Sequence, residues 1–270
     1  MEIQQFEEQL SKGPVSLKVT NEIGSITIVP GSDDIRTIHV DAESRGMIIT
    51  VSRSDNTVTV RAEREEAWRN PIEQIRGLFT NEHPEAHLTI QVPVDCDVNA
   101  KMITGSLSIS GIDGVVNGRT VTGSAKLTNL GGPINAKTVT GKLSYNGRLS
   151  DDIHHFKTVT GAVKLNLAHL PNARLDARTD VGGIHYEFLK GTATSTSLSA
   201  GVTTQNMVGS RLQDVLGSGQ GHIKIRVATG SIHLNHIVEN EGSFNGRINH
   251  QQRSRDTEFS VTSASPRLIY

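Results

Sequence analysis

The sequence predicts an all-β solenoid built from stacked coils of about 18–21 residues, and three observations lead there. A five-residue pattern recurs as Ile103-Thr104-Gly105-Ser106-Leu107, Val121-Thr122-Gly123-Ser124-Ala125, Val139-Thr140-Gly141-Lys142-Leu143 and Val159-Thr160-Gly161-Ala162-Val163. Its glycines stand 18, 18 and 20 residues apart. The second and fourth positions after each glycine are mostly apolar, as at Leu107 and Ile109, Leu143 and Tyr145, or Val163 and Leu165. A period of two belongs to strands, and a fixed longer period belongs to units that bury their apolar faces only against their neighbours.

Weaker copies follow at Gly182, Gly201 and Gly221, while Glu22-Ile23-Gly24-Ser25-Ile26 and Ala228-Thr229-Gly230-Ser231-Ile232 match out of phase. Seven residues before the glycine stand Val98, Val116, Ile134 and Leu175. Five before it stand the small Ala100, Gly118 and Ala136, and two before it Ile103, Val121, Val139 and Val159. If all of these face inward, the parity changes between the fifth and second positions, which predicts a bend or bulge there and a buried stack of the four β-branched residues. A polar residue at Leu127 or Val139 is then expected to damage its own coil and both neighbouring interfaces.

Residues 1–12 read as an N-terminal cap, with Ile3, Phe6 and Leu10 at helix-like spacing. The solenoid is expected over 13–238, with looser alternating runs before residue 95 and a hairpin turn at Ser54-Asp55-Asn56. A helical insertion is predicted near 66–82, where Trp68, Ile72, Ile75 and Phe79 follow near-helical spacing and Pro71 suits a first turn. This stripe is either a cover for an open strand edge or a docking face for a partner. Residues 239–270 form a polar tail in which 258–262 has the pattern of one further edge strand.

Composition restricts the function classes. Lys and Arg number 27 against 28 Asp and Glu, so charge-driven binding requires local segregation. Hydrophobic residues at 35% and aromatics at 4% suit a narrow aliphatic core. Cys96 is the only cysteine, which excludes an intramolecular disulfide and a multi-cysteine zinc site and reads as a half-buried thiol. The first ten residues lack the pattern of a secretion signal and no run reaches a spanning length of about 20 apolar residues, so a cytoplasmic location is expected.

Thr89-Ile90-Gln91-Val92-Pro93-Val94-Asp95, running into Lys101-Met102-Ile103-Thr104-Gly105-Ser106-Leu107-Ser108-Ile109, resembles the bacterial putative-adhesin family. The likeness extends over roughly residues 14–236, including the closing run 227–234. The resemblance implies a right-handed, single-stranded β-helix and an adhesin-like role; many members of the family are domains of unknown function, and fold alone does not fix activity.

One surface feature is read from the residues alone. The fourth position before the glycine is Lys101, Arg119, Lys137, Lys157 and Arg178 on consecutive coils, a column of positive charge with Lys126 and Lys164 nearby. It either receives an anionic polymer or phosphate-rich surface, or lays its long stems over apolar corners while Asp176 and Asp180 balance the charge. Catalytic candidates are scattered: Asp176, Arg178 and Asp180 alternate, and Asp151-Asp152 precede His154-His155. His233 with His236, or His154 with His155, have metal-ligand chemistry but read as surface or turn histidines. The run Gly217-Ser218-Gly219-Gln220-Gly221 lacks the Lys-Ser/Thr of a phosphate loop and reads as a turn.

The resulting expectation is a non-catalytic, adhesin-like scaffold for protein–protein or self-association, with no catalytic residue, metal or cofactor. Binding of an anionic polymer is the alternative, and a polysaccharide-active enzyme ranks third. No specific nucleic acid is expected, and a membrane only through a partner or an amphipathic segment.

Overall fold

The computed structural model describes residues 1–31, 36–66, 83–187 and 207–236. The predicted insertion, with Trp68, Ile72, Ile75 and Phe79, and the C-terminal tail lie outside the described residues. Among the described residues fourteen strands form one mixed sheet. They are β1 (Glu2–Gln9), β2 (Ser16–Pro30), β3 (Thr37–Arg45), β4 (Met47–Ser54), β5 (Thr57–Arg64), β6 (Glu85–Val92) and β7 (Asp97–Ser110). After them come β8 (Val116–Thr128), β9 (Ile134–Gly147), β10 (Ile153–Leu167), β11 (Ala173–Gly182), β12 (Ile184–Glu187), β13 (Met207–Val215) and β14 (Gly221–His236).

The centre of the sheet is parallel and in register, in the order β2-β7-β8-β9-β10-β14-β11. Both ends turn antiparallel: β1 on β3 and β3 on β6 at one, β13 on β11 at the other, with β4 on β5 beside them. The sheet is thus mixed, where stacked coils alone would make it uniformly parallel. β1 also corrects the helix-like reading of the first residues. Phe6 and Leu10 pack against the core, while Ile3 is 70% exposed on an edge strand.

Spatial order departs from chain order at two places. β5 and β6 together line the outer side of β2, β5 along its first arm and β6 along its second. β14 slips between β10 and β11, with β12 continuing beside its second arm. The two out-of-phase copies of the motif are therefore true repeats: Gly24 aligns with Gly105, and Gly161 with Gly230. Gly221 instead pairs with Ala173, outside the glycine column. Gly201 lies outside the described residues.

The glycines make the corner. Gly105, Gly123, Gly141, Gly161, Gly230 and Gly182 have φ between 132° and 140°, a region that is essentially closed to residues with a Cβ. A Cβ on Gly141 would lie 1.7 Å from the carbonyl oxygen of Gly123, and one on Gly230 would lie 1.6 Å from that of Gly161.

On either side of this corner each long strand has an arm facing one core. Before the glycine the buried positions are the seventh, fifth and third: Val98, Ala100 and Met102 on β7, and Val116, Gly118 and Thr120 on β8. After it they are the second and fourth, such as Leu107 and Ile109 or Leu143 and Tyr145. Ile112, Leu130 and Leu149 in the connecting segments are buried in the same core. In the row of small residues Ala100, Gly118 and Ala136 the next strand places the large Phe156, followed by Ile225. Tyr145 stands 6.0 Å from Phe156 and its hydroxyl donates to the Arg148 carbonyl, which satisfies a phenol whose pKa burial pushes up to about 12.

This parity corrects the expected buried stack. Ile103, Val121, Val139 and Val159 do lie on successive strands, but the ladder steps over them and three face solvent, Val139 at 46% exposure. Thr120 still faces inward while Val121, Thr122 and Ser124 are all exposed, so the parity changes over Val121–Ser124, around the glycine, and not between the fifth and third positions before it. The inward place one residue earlier belongs to Met102, Thr120, Thr138 and Thr158. The three threonine hydroxyls are buried without a hydrogen-bond partner among the described residues.

Two expectations follow. Gly141→Ala should lower stability by about 3 kcal/mol or more, through forbidden φ and backbone overlap, measured as the shift in a denaturant midpoint; a change below about 1 kcal/mol contradicts the stacked corner. Leu127→Ser should lower Tm by several degrees through a buried polar group and a cavity, whereas Val139→Ser should leave Tm nearly unchanged; equal losses would put Val139 in the core.

Candidate functional site

The in-register ladders bring the predicted cations together and add to them. Lys101 pairs with Arg119, Arg119 with Lys137, and Lys137 with Lys157. The next neighbour of Lys157 is Arg226, followed by Arg178 and then Arg211. The column therefore continues over seven strands, about 4.8 Å apart. Arg226 was hidden from sequence reading because β14 is inserted out of chain order, and Arg211 because β13 is antiparallel. All seven lie at outward positions of their strands.

Its two halves differ in electrostatics. Arg226 meets the Asp176 carboxylate at 2.5 Å and Arg211 meets it at 3.5 Å. The hydrogen bond from Arg226 is the main reason that the Asp176 carboxyl titrates below the ordinary range. Arg178 pairs with Asp180 at 3.1 Å, both more than half exposed, so that pair contributes little. Lys101, Arg119, Lys137 and Lys157 form no ion pair among the described residues. The sequence alternative of charge balance through Asp176 and Asp180 thus holds for one half of the column only.

The flanks are ordered in the same register. Asn99, Asn117 and Asn135 stand two residues before the cations, and Asn135 Nδ2 donates to Asn117 Oδ1 at 3.2 Å. His155 follows in that row and titrates low. Partial burial is the first cause, and Lys224, His222, Lys137 and Arg226 follow as unfavourable positive neighbours. On the other side, two residues after the cations, stand Val121, Val139 and Val159 at 40%, 46% and 42% exposure. Exposed Thr104, Thr122, Thr140 and Thr160 come next.

The remaining candidates separate. Asp176 and Asp180 are engaged by arginines. Asp152 accepts a hydrogen bond from Ser150 Oγ at 2.8 Å. His154 is buried, against the expectation of a surface or turn position, with Nε2 donating to the Ser150 carbonyl at 2.9 Å and Nδ1 lacking a partner among the described residues. It occupies the place that Val98, Val116 and Ile134 hold on other strands. His233 stacks on His185, with ring centroids 4.7 Å apart. No group of three or more metal-binding side chains occurs among the described residues. Gly217 and Ser218 form a turn, as expected. Cys96 is wholly buried, beyond the half-buried place expected, and burial raises its thiol pKa to about 12, far from a reactive thiolate.

No protein-family model matches the chain, and no curated protein matches it. Solved structures similar to it include the following two. One is a putative cell adhesion protein from Clostridium sporogenes ATCC 15579, with 10% identity, covering 87% of this chain and 100% of the other at a TM-score of 0.46. The other is a putative adhesin from Bacteroides fragilis NCTC 9343, with 11% identity, 87% and 97% coverage and a TM-score of 0.39. Among the described residues, no helix is long and apolar enough to cross a membrane.

The buried His154 sets a pH dependence. Burial lowers its folded-state pKa below the ordinary value of 6.5, so the unfolded chain binds the proton more readily. Its cost is absent above pH about 6.5 and grows as pH falls below that value toward the folded pKa. Tm should therefore fall between pH 7.5 and 5.5, and His154→Leu should flatten that dependence; an unchanged slope in the variant contradicts this account.

Proposed function

We propose that the chain is a non-catalytic interaction module that holds a linear anionic ligand along the basic column. The observation that carries this reading is the run of four cations at Lys101, Arg119, Lys137 and Lys157 on adjacent strands, which form no ion pair among the described residues. Neighbouring unit charges 5 Å apart repel by ~0.8 kcal/mol in bulk-water dielectric and by more near a protein surface. A ligand with regularly spaced negative charge removes that repulsion and releases counterions. The competing account, in which the long stems cover apolar corners, fits less well because the adjacent valines stay 40–46% exposed.

In this reading the repeats wind as the coils of a right-handed solenoid, supported by buried residues on both arms and at Ile112, Leu130 and Leu149. The role is that of an adhesin-like scaffold rather than an enzyme, since the acidic and histidine candidates are salt-bridged, buried or apart. Self-association is a second reading, favoured by β1 and β13, each of which pairs with a single strand among the described residues. Light scattering separates it, because edge-to-edge pairing gives multimers without any polyanion.

The full chain should be retained on immobilised heparin at low salt, with log affinity falling linearly in log salt. Arg119→Gln with Lys137→Gln should make that slope shallower by roughly two and leave Tm at low salt unchanged or raised, because like-charge repulsion is relieved. No retention of the native chain at low salt overturns the reading; a lower Tm in the variant returns the column to a stem-packing role.

A further inference from the structure

The reading of the column as an anion site leaves the class of ligand open, and the valine ridge narrows it. Val121, Val139 and Val159 follow the cations by two residues on the same outward surface. Two residues of strand place the ridge about 7 Å from the cations, on a line parallel to theirs. A ligand lying along the column therefore meets positive charge on one flank and aliphatic carbon on the other. The aromatic side chains of β7–β10, Tyr145 and Phe156, are both buried. The stretch offers no exposed Phe, Tyr or Trp for stacking bases, on which recognition of single-stranded nucleic acid largely depends.

Spacing favours one kind of polypeptide. The cations repeat every ~4.8 Å, and one turn of α-helix advances 5.4 Å, so carboxylates at i, i+3 or i+4, i+7, and i+10 or i+11 keep pace with four strands within side-chain reach. An extended chain returns a side chain to the same side only every ~6.8 Å and drifts out of step over the same run. We infer that the partner element is an acidic amphipathic α-helix lying across the strands, with carboxylates on Lys101, Arg119, Lys137 and Lys157 and aliphatic side chains on the valine ridge. This rests on the anion-binding reading and adds to it the polypeptide, the helix and the apolar contact.

The test titrates the full-length protein with a synthetic peptide of about 18 residues, some five helical turns, bearing one Glu stripe and an adjacent Leu stripe. A scrambled peptide of the same composition, heparin and a single-stranded oligonucleotide serve as comparisons. The ordered peptide should bind at least about tenfold more tightly than the scrambled one and gain helical circular dichroism on binding. Val121→Ser with Val139→Ser should weaken it about tenfold, as loss of two aliphatic contacts implies, while heparin retention and Tm stay as in the native chain. Arg119→Gln with Lys137→Gln should weaken peptide binding at least about tenfold and make the heparin salt slope shallower by roughly two. Equal affinity for ordered and scrambled peptides, indifference to the valine changes, or binding of heparin or oligonucleotide without the peptide overturns the helix inference and leaves the anion reading standing. Peptide affinity and a heparin salt slope that both stay as in the native chain after the loss of Arg119 and Lys137 overturn the anion reading itself.

Discussion

Where a side chain on one glycine would begin, the carbonyl oxygen of the glycine on the adjacent strand already stands. That contact recurs from Gly24 through Gly105, Gly123, Gly141, Gly161 and Gly230 to Gly182. Much else in the molecule depends on it. With φ near 135° the chain turns a corner that other residues strongly resist, and the close backbone approach keeps neighbouring strands in one register. Because the turn falls at the same place in every repeat, the arms before and after it each present alternate residues to one core. The columns of Leu, Ile and Val follow from the corner, as does every outward column.

The same geometry explains why charge accumulates on the surface. An in-register parallel ladder stacks each residue on its equivalents, so any outward position in the motif becomes a stripe. Asparagine in such a stripe is favourable because one side-chain amide can donate to the next carbonyl: Asn135 to Asn117 on one arm, and Asn235 to Asn166 at 2.8 Å on the other. Lysine and arginine have no such complementarity with their own kind. The stripe through Arg226, Arg178 and Arg211 is relieved by Asp176 and Asp180, while the stretch from Lys101 to Lys157 has no ion pair among the described residues. The proposed anionic ligand is the means of relief for that stretch, and the exposed valines beside it have the chemistry of a shared contact surface.

Inside the core the repeats admit polar groups at cost. Thr120, Thr138 and Thr158 fit the space of a β-branched residue yet leave their hydroxyls unpaired, and His154 replaces an aliphatic with a ring whose charged form burial disfavours. These positions set how stability responds to pH and packing. None of them lies on the basic face.

By itself the sequence determined the strand class, the period, the inward residues after each glycine and the first four members of the cation column. All of these depend on local alternation and on equal spacing between copies, which a single chain displays. It misjudged the side of Val121, Val139 and Val159, because apolar character alone does not report the parity change that the glycine imposes. It also read 3–10 as helix-like, where pairing with β3 makes a strand. Only the tertiary structure decided that Gly24 and Gly230 belong to the column, that Arg226 stands between Lys157 and Arg178, and that Asp176 neutralises one half of the stripe. Those facts depend on which strands lie side by side, and β2 beside β7 or β14 beside β10 are pairings over long chain separations that no fixed period encodes.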